Sequence, residues 1–455
     1  MNKTFKHSIR QALSLLGIVC ASISFSACSD DNGDNGENNN NGNNNNGGGG
    51  ETATLSISPT TSYIPFSFDA TESYPYTVST NQTSWEVGVT PAYATWCKVE
   101  KTADGKGFTV TADPNREETQ QRKASITISA KGAKSIAISA VQEGYKPATI
   151  HITGVGGDTD NLYYLYWKDG VMQKLGDAIS GKIAGGSSTM FVSGNDTYVL
   201  GADSEKACYW KNGEKTIIDE ATAGDAHSIF IDGKDIYIAG KDVYLDKEHP
   251  IEKIHKPYYL KNGIKTMLPT SSTTTVYPSA IAVHNGDIYV VGQEMIAGKG
   301  WLACYWKNGK KTNLEEDFSS TSAIAFSGDD VYILGNYDGR NCYWKNEERT
   351  FIGDTKASHA SSITIHNGDV YIGGYEGDYG LHQEDMACYW KNGERINLPS
   401  DRSARVSAIS VYGDIVYCAG SESPKICYWK GSDQIYVEPD DPSISLLSIY
   451  SIIAK

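Results

Sequence analysis

Three stretches of this chain collect residue types suited to recognising or cleaving a sugar. The first, Lys241 to Lys256, holds Tyr244, Asp246, Glu248, His249 and His255. The second runs from Gln293 to Trp301, and the third holds Tyr375, Glu376, Asp378, Tyr379, His382 and Glu384. Aromatic rings stack on the apolar faces of pyranoses, and carboxylates accept hydrogen bonds from hydroxyls. Two carboxylates across a pocket could hydrolyse a glycosidic bond, and a Tyr/His pair could act as base and acid in an elimination. None of these groups has the spacing of a recognisable catalytic motif, so binding is favoured over catalysis and no catalytic residue is assigned. The competing reading is that long loops vary and carry polar residues for solubility alone. Tyr244, His249, His255, Trp301, Tyr375, Tyr379 and His382 are the candidate binding residues.

Other chemistries find little support. Of nine cysteines, Cys208, Cys304, Cys342, Cys388 and Cys427 recur in one slot of a repeat. Equivalent slots in neighbouring copies are too far apart to bridge, so these residues read as small apolar packing groups. Only Cys418 and Cys427, one strand apart, are a pair to check for a disulfide. There is no Cys-x-x-Cys and no close Cys/His cluster, so no metal and no cofactor are expected. The net charge is −15, and no basic stripe exists to track phosphates, which excludes nucleic acid as a partner. An anionic polysaccharide is disfavoured for the same reason.

The candidate residues must be held by a repeating scaffold. Ala207-Cys208-Tyr209-Trp210-Lys211-Asn212-Gly213 recurs almost unchanged at Ala303–Gly309 and Ala387–Gly393. Looser copies surround Trp167, Leu260, Trp344 and Trp429, giving seven copies at spacings of 43, 50, 46, 38, 46 and 39 residues. That period fits a four-stranded propeller blade. A hairpin precedes six of the copies, as in Ser279-Ala280-Ile281-Ala282-Val283-His284-Asn285-Gly286-Asp287-Ile288-Tyr289. Its apolar runs predict two strands and its Asn-Gly a tight turn. The Tyr-Trp-Lys run predicts a third strand, and the next Asn-Gly turns it into a fourth. One residue of each Tyr-Trp pair should pack between blades, because neighbours on a strand face opposite sides. Asp196, Asp235, Asp287, Asp330 and Asp369 read as turn caps. Ser188, His227, Ser279, Ser322, Ser361 and Ser407 would begin the innermost strands at the channel mouth; the serines read first as strand-end caps that bond backbone, and His227, breaking the Ser pattern, joins the candidate binding residues.

The first copy lacks its opening strand. Ser445–Ser451 aligns with Ser407–Gly413 and would supply it, closing a seven-bladed propeller with no long unpaired edge. The connection between second and third strands is long in the third, fourth and sixth copies, which places the candidate residues together on one face.

The N-terminus reads as a targeting segment. Lys3, Lys6 and Arg10 precede an apolar stretch from Ala12 to Phe25, then Ser26, Ala27 and Cys28. This resembles a bacterial lipobox, which implies lipidation at Cys28 and anchoring to outer-membrane lipid. Ser29-Asp30-Asp31 resembles the acidic export signal of Bacteroidota surface lipoproteins and implies display on the cell exterior. From Asn32 to Gly50 the chain is nearly all Asn and Gly and reads as a flexible tether.

Between about Thr52 and Gly144 lies a non-repeating segment with period-2 alternation, as in Ala124-Ser125-Ile126-Thr127-Ile128-Ser129. Its Trp85-Glu86-Val87, Trp96-Cys97-Lys98-Val99, Gly107-Phe108-Thr109-Val110, Asn115, Arg122-Lys123-Ala124 and Ile138-Ser139-Ala140-Val141-Gln142-Glu143-Gly144 resemble the BACON domain of Bacteroidota surface proteins. The resemblance implies an immunoglobulin-like sandwich, acting as a spacer or an accessory glycan-binding module. Trp85 and Trp96 read as core residues.

Together these readings predict an all-β chain. Residues 1–27 are a lipoprotein signal peptide, 28–51 a tether, 52–146 a BACON-like sandwich and 147–455 a seven-bladed propeller closed by the C-terminal strand. The expected role is a monomeric, surface-anchored, non-enzymatic lipoprotein that binds glycan through the propeller loop face. A polysaccharide hydrolase or lyase and a protein-binding adhesive scaffold are the alternatives.

Overall fold

The computed structural model describes residues 52–158, 161–179, 190–203, 206–218, 225–245, 253–271, 275–353, 358–377 and 384–455. Cys28, His249, Tyr379 and His382 lie outside these residues, as do the signal and tether segments. Among the described residues every regular element is a strand, and no helix is long and apolar enough to cross a membrane.

Residues 55–142 form two four-stranded sheets. One orders Leu55–Ser58, Tyr74–Thr80, Gly107–Ala112 and Cys97–Lys101; the other orders Tyr63–Phe66, Ile136–Gln142, Arg122–Ala130 and Trp85–Thr90. Alternation puts Ile64, Phe108, Val110, Ile126, Ile128, Ile138 and Ala140 on the inner faces, where none is exposed. Trp85 and Trp96 belong to this same core. Buried Asn115 fixes the adjoining turn: its Nδ2 donates to the carbonyls of Glu118 and Glu143, each at 3.0 Å.

Residues 150–454 form seven antiparallel four-stranded sheets among the described residues. In six of them the strands follow chain order, as in Val276–His284, Asp287–Ile296, Gly300–Lys307 and Lys310–Asn313. In the first, Val171–Ile179, Leu162–Lys168 and Ile150–Gly157 are followed by Ser445–Ala454, which pairs antiparallel with Ile150–Gly157. Local chemistry sets the hairpins. Asn308 and Gly309 both adopt positive φ (49° and 80°), the two-residue turn that matches strand twist.

Neighbouring sheets share buried clusters. Trp167, Trp210, Trp306, Trp344, Trp390 and Trp429 are each at most 2% exposed, whereas the Tyr before each is half-buried. The Trp therefore takes the packing position of the Tyr-Trp pair. Burying an indole contributes roughly 4–6 kcal/mol of transfer free energy before entropy is counted. Trp306 Nε1 donates to the Pro269 carbonyl at 2.7 Å and Trp429 Nε1 to the Pro399 carbonyl at 2.8 Å, whereas Nε1 of Trp167, Trp210 and Trp390 has no partner among the described residues. The recurring cysteines are unexposed packing groups, and burial raises the thiol pKa values of Cys304, Cys342, Cys388 and Cys427. Cys418 and Cys427 are both free: in register Cys418 faces Trp429 and Cys427 faces Gly420.

One edge of the sheets carries a repeated polar clasp. Asp287 accepts from Lys307 Nζ at 2.7 Å and from Asn308 Nδ2 at 2.7 Å, while Asn308 Oδ1 accepts from the Ile288 amide at 2.9 Å. The same three contacts recur around Asp196, Asp235, Asp330 and Asp369. These aspartates tie the first hairpin of a repeat to its second, rather than capping only their own turn. In the seventh repeat Ile415 and Gly431 stand where these five have Asp and Asn. There the sandwich packs instead. Phe68 lies against Tyr412 with ring centroids 5.3 Å apart, Tyr412 Oη donates to the Lys146 carbonyl at 3.1 Å, and Arg116 pairs with Asp414. The sandwich is thus seated on the repeat region, which adds a fixed contact to the spacer role expected of it.

Candidate functional site

The opposite edge of the sheets is where the repeats differ from one another. Strand Asp225–Asp232 and its equivalents each contain a β-bulge whose extra residue is His227, Ser279, Ser322, Ser361 or Ser407. These residues therefore sit inside their strands and do not begin them. The strands start earlier because Val276–Pro278 and its equivalents continue the pairing, as in Val276 opposite Glu294. Ser279 Oγ donates to the Thr321 carbonyl and Ser361 Oγ to the Val406 carbonyl, both at 2.8 Å. These two bulge serines link one repeat to the next, whereas Ser322 Oγ donates to the Leu334 carbonyl of its own repeat at 3.3 Å.

Two residues before each bulge lies a position with a different side chain each time: Asp225, Tyr277, Ser320, His359 and Arg405. Their cross-strand partners differ too, being Lys241, Gln293, Asn336, Tyr375 and Ser421. An unvarying scaffold thus carries a rim of unlike groups.

On this rim Tyr277 gathers its neighbours. Lys241 Nζ lies 3.8 Å from the centre of its ring, and the His255 and Trp301 rings are each 5.3 Å away. Lys241 is 5% exposed, and its ammonium pairs with Asp225 at 3.3 Å. Burial lowers the Lys241 pKa, opposed by Asp225. His227 is buried nearby, and burial with the adjacent Lys241 and His255 pushes its pKa down to about 4, against the pull of Asp225. Among the described residues its Nε2 has no hydrogen-bond partner.

The structure therefore brings His227, His255 and Trp301 into one neighbourhood. Tyr244, 44% exposed, adjoins it through Asp242, which accepts from Tyr244 Oη at 3.1 Å and pairs with Lys265 at 2.9 Å. Tyr375 lies elsewhere, stacked on His359 at 4.6 Å and covered by Arg405 at 4.9 Å. Tyr277, His359 and Arg405 were missed by sequence reasoning; their signal was variation at a fixed offset from the bulge residue. Where described, the first two stretches read as long loops are largely strand. Tyr244 pairs with Ile254 and Met295 with Trp301, because alternating apolar residues extend both hairpins.

Four equivalent carboxylates at this edge, Asp242, Glu294, Glu376 and Glu422, are engaged. Asp242 faces Lys265, Glu294 faces Lys311, and Glu376 faces Arg395, each cation coming from the outermost strand of the same sheet. Glu422, the equivalent in the seventh repeat, accepts from Tyr436 and from the amides of Asp401 and Arg402. Burial alone would raise its pKa, but these bonds together lower it. Among the described residues no group of three or more His, Cys, Asp or Glu could hold a metal ion.

A family model, BACON, described as "Putative binding domain, N-terminal", matches residues 78–143. No curated protein matches the chain. The Bacteroides ovatus GH5 xyloglucanase in complex with a XXXG heptasaccharide is 23% identical over 20% of this chain and 19% of its own, with a TM-score of 0.18. A Mycobacterium tuberculosis puromycin-hydrolyzing peptidase is 8% identical over 63% of this chain and 53% of its own, with a TM-score of 0.45. The β-propeller domain of the Trilobed protease from Pyrococcus furiosus is 12% identical over 76% of this chain and 100% of its own, with a TM-score of 0.41. The chain spans about a fifth of the xyloglucanase and about half of the peptidase. The sandwich carries a BACON domain, and the successive four-stranded sheets make the rest of the chain propeller-like.

Proposed function

We propose that this chain is a non-enzymatic binding lipoprotein, anchored through Cys28 at the outer membrane and facing the cell exterior as a monomer. Its repeats form a seven-bladed propeller closed by Ser445–Ala454, and the variable rim binds a glycan. The observation that carries this reading is the contrast between the two edges. The clasp edge repeats one set of residues, as a scaffold requires, while the rim places Tyr277, Trp301, His255 and Lys241 together at the third and fourth repeats. Half-buried rings beside donors and acceptors suit a sugar, which offers apolar faces and hydroxyls at once. A hydrolase reading is disfavoured because Asp242, Glu294 and Glu376 are already neutralised by cations. The sandwich braces the propeller or adds a second glycan contact.

The test is a glycan array probed with the full chain and with Tyr277→Ala and Trp301→Ala. Binding by the parent that both variants lose supports the rim as the site. Binding that survives both places the site elsewhere, and silence of the parent points to a protein ligand. Fatty-acid labelling of the parent and of Cys28→Ser, in a host that lipidates exported proteins, tests the anchor.

A further inference from the structure

We propose a second binding pocket, for an arginine side chain of a partner protein, between the fourth and fifth repeats on the clasp edge. A cavity of about 380 Å³ opens there, lined by Tyr289, Tyr305 and Lys307 from one repeat and by Asp329, Asn346 and Glu347 from the next. Its charge balance is negative. The Lys307 ammonium is already bound to Asp287 at 2.7 Å. Among the described residues Glu347 accepts from a neutral donor, Tyr305 Oη at 2.6 Å, and Asp329 accepts from Asn285 Nδ2 at 3.2 Å. Neither carboxylate has an ion-pair partner among the described residues, and both belong to exposed residues that line the cavity.

Two further observations point to a cation. Glu347 has a left-handed backbone, φ 73°, at the second position of an Asn-x turn. Gly170, Gly213, Gly263, Gly309 and Gly393 fill that position in five other repeats. The fifth repeat keeps a strained Glu where glycine is relaxed, and what it gains is a carboxylate in the cavity. The second observation is an internal precedent. Asp329 and Asp414 both follow a left-handed glycine, Gly328 (φ 56°) and Gly413 (φ 58°), in the first hairpin of their repeats. At the seventh repeat Asp414 takes the guanidinium of Arg116. Asp329 offers the same carboxylate with no guanidinium upon it among the described residues.

Arginine fits better than lysine, because its planar fork can bridge two carboxylates while its face lies on Tyr305. A neutral sugar fits less well. The Tyr289 ring is buried, and Lys307 Nζ covers it at 5.2 Å, so it cannot join Tyr305 as a second stacking face for a pyranose.

The test titrates the full chain at low salt with acetyl-Gly-Arg-Gly-amide and with acetyl-Gly-Gln-Gly-amide, read by calorimetry or ligand-observed NMR. The arginine peptide should bind about tenfold more tightly, as expected for charge-assisted bonds. Glu347→Gly, which restores the Asn-Gly turn, should lose most of that binding with no fall in melting temperature; Asp329→Asn should lose it too. Asp414→Asn should keep it. Equal binding of the two peptides, full retention in Glu347→Gly, or loss confined to Asp414→Asn would overturn the assignment.

Discussion

Arg116 and Asp414, 298 residues apart in sequence, form an ion pair that joins the sandwich to the seventh repeat. The pair sits where that repeat lacks the clasp, so the edge that would hold Asp and Asn is open to a neighbour. Arg116 is about a third exposed and Asp414 nearly two thirds, so the pair contributes little alone, about 0–1 kcal/mol. The apolar contact of Phe68 with Tyr412 is the stronger anchor. Phe68→Ala should therefore speed proteolysis of residues 144–148 several-fold, while Arg116→Ala changes it little. Equal cleavage of parent and Phe68→Ala would show that this contact does not hold the sandwich in place.

Trp306→Ala should lower unfolding stability by about 3–5 kcal/mol, read as a shift in urea midpoint, because the side chain is fully buried and bonded to Pro269. Trp306→Leu should cost less than half of that, since Leu260 fills the same slot in the third repeat. If the Leu variant were as damaged as the Ala variant, the slot would depend on the indole ring rather than on apolar volume.

The fold was legible where one chemistry repeats. Tyr-Trp-Lys followed by Asn-Gly marks a strand and a left-handed turn wherever it occurs, and period-2 alternation marked Ala124–Ser129. The rim was legible only in part. Trp301 and His255 stood out by residue type, but Tyr277 sits in a stretch whose pairing extends past the bulge, and a bulge leaves no mark in the hydrophobic pattern. The seat of the sandwich was not legible at all, because no local pattern reveals that Arg116 meets Asp414.

His227 gives the chain a pH-dependent stability. Its folded pKa of about 4 lies below the ordinary 6.5, so folding favours the neutral ring. The stabilisation is complete above pH 6.5 and is lost as pH falls toward 4, because the unfolded chain takes up the proton first. The loss should be on the order of 3 kcal/mol. His227→Gln should flatten the urea midpoint across that window, and a ring-proton titration centred near 6.5 in the folded protein would contradict the assignment.

The clasp aspartates act in a more acidic window. Lys307 and Asn308 hold the Asp287 carboxyl below its ordinary pKa of 3.8, and the other four behave alike. Their contribution is present above the ordinary carboxylate range and disappears as pH falls through the lowered values. Melting temperature should therefore fall below pH 4, less steeply in Asp287→Asn than in the parent. Identical slopes would show that the clasp is formed but adds nothing.

The first repeat sheet unites Ile152 with Ile452, about 300 residues downstream. As the chain is synthesised, Ile150–Gly157 emerges early and keeps one edge unpaired until Ser445 arrives. Closing so long a loop costs only slightly more than closing one of half the length, because the entropy grows with the logarithm of length. The burden is waiting time: an unpaired apolar strand edge is a template for the wrong partner throughout that interval. The order of synthesis therefore makes the last ten strand residues, Ser445–Ala454, the step on which an orderly first repeat depends.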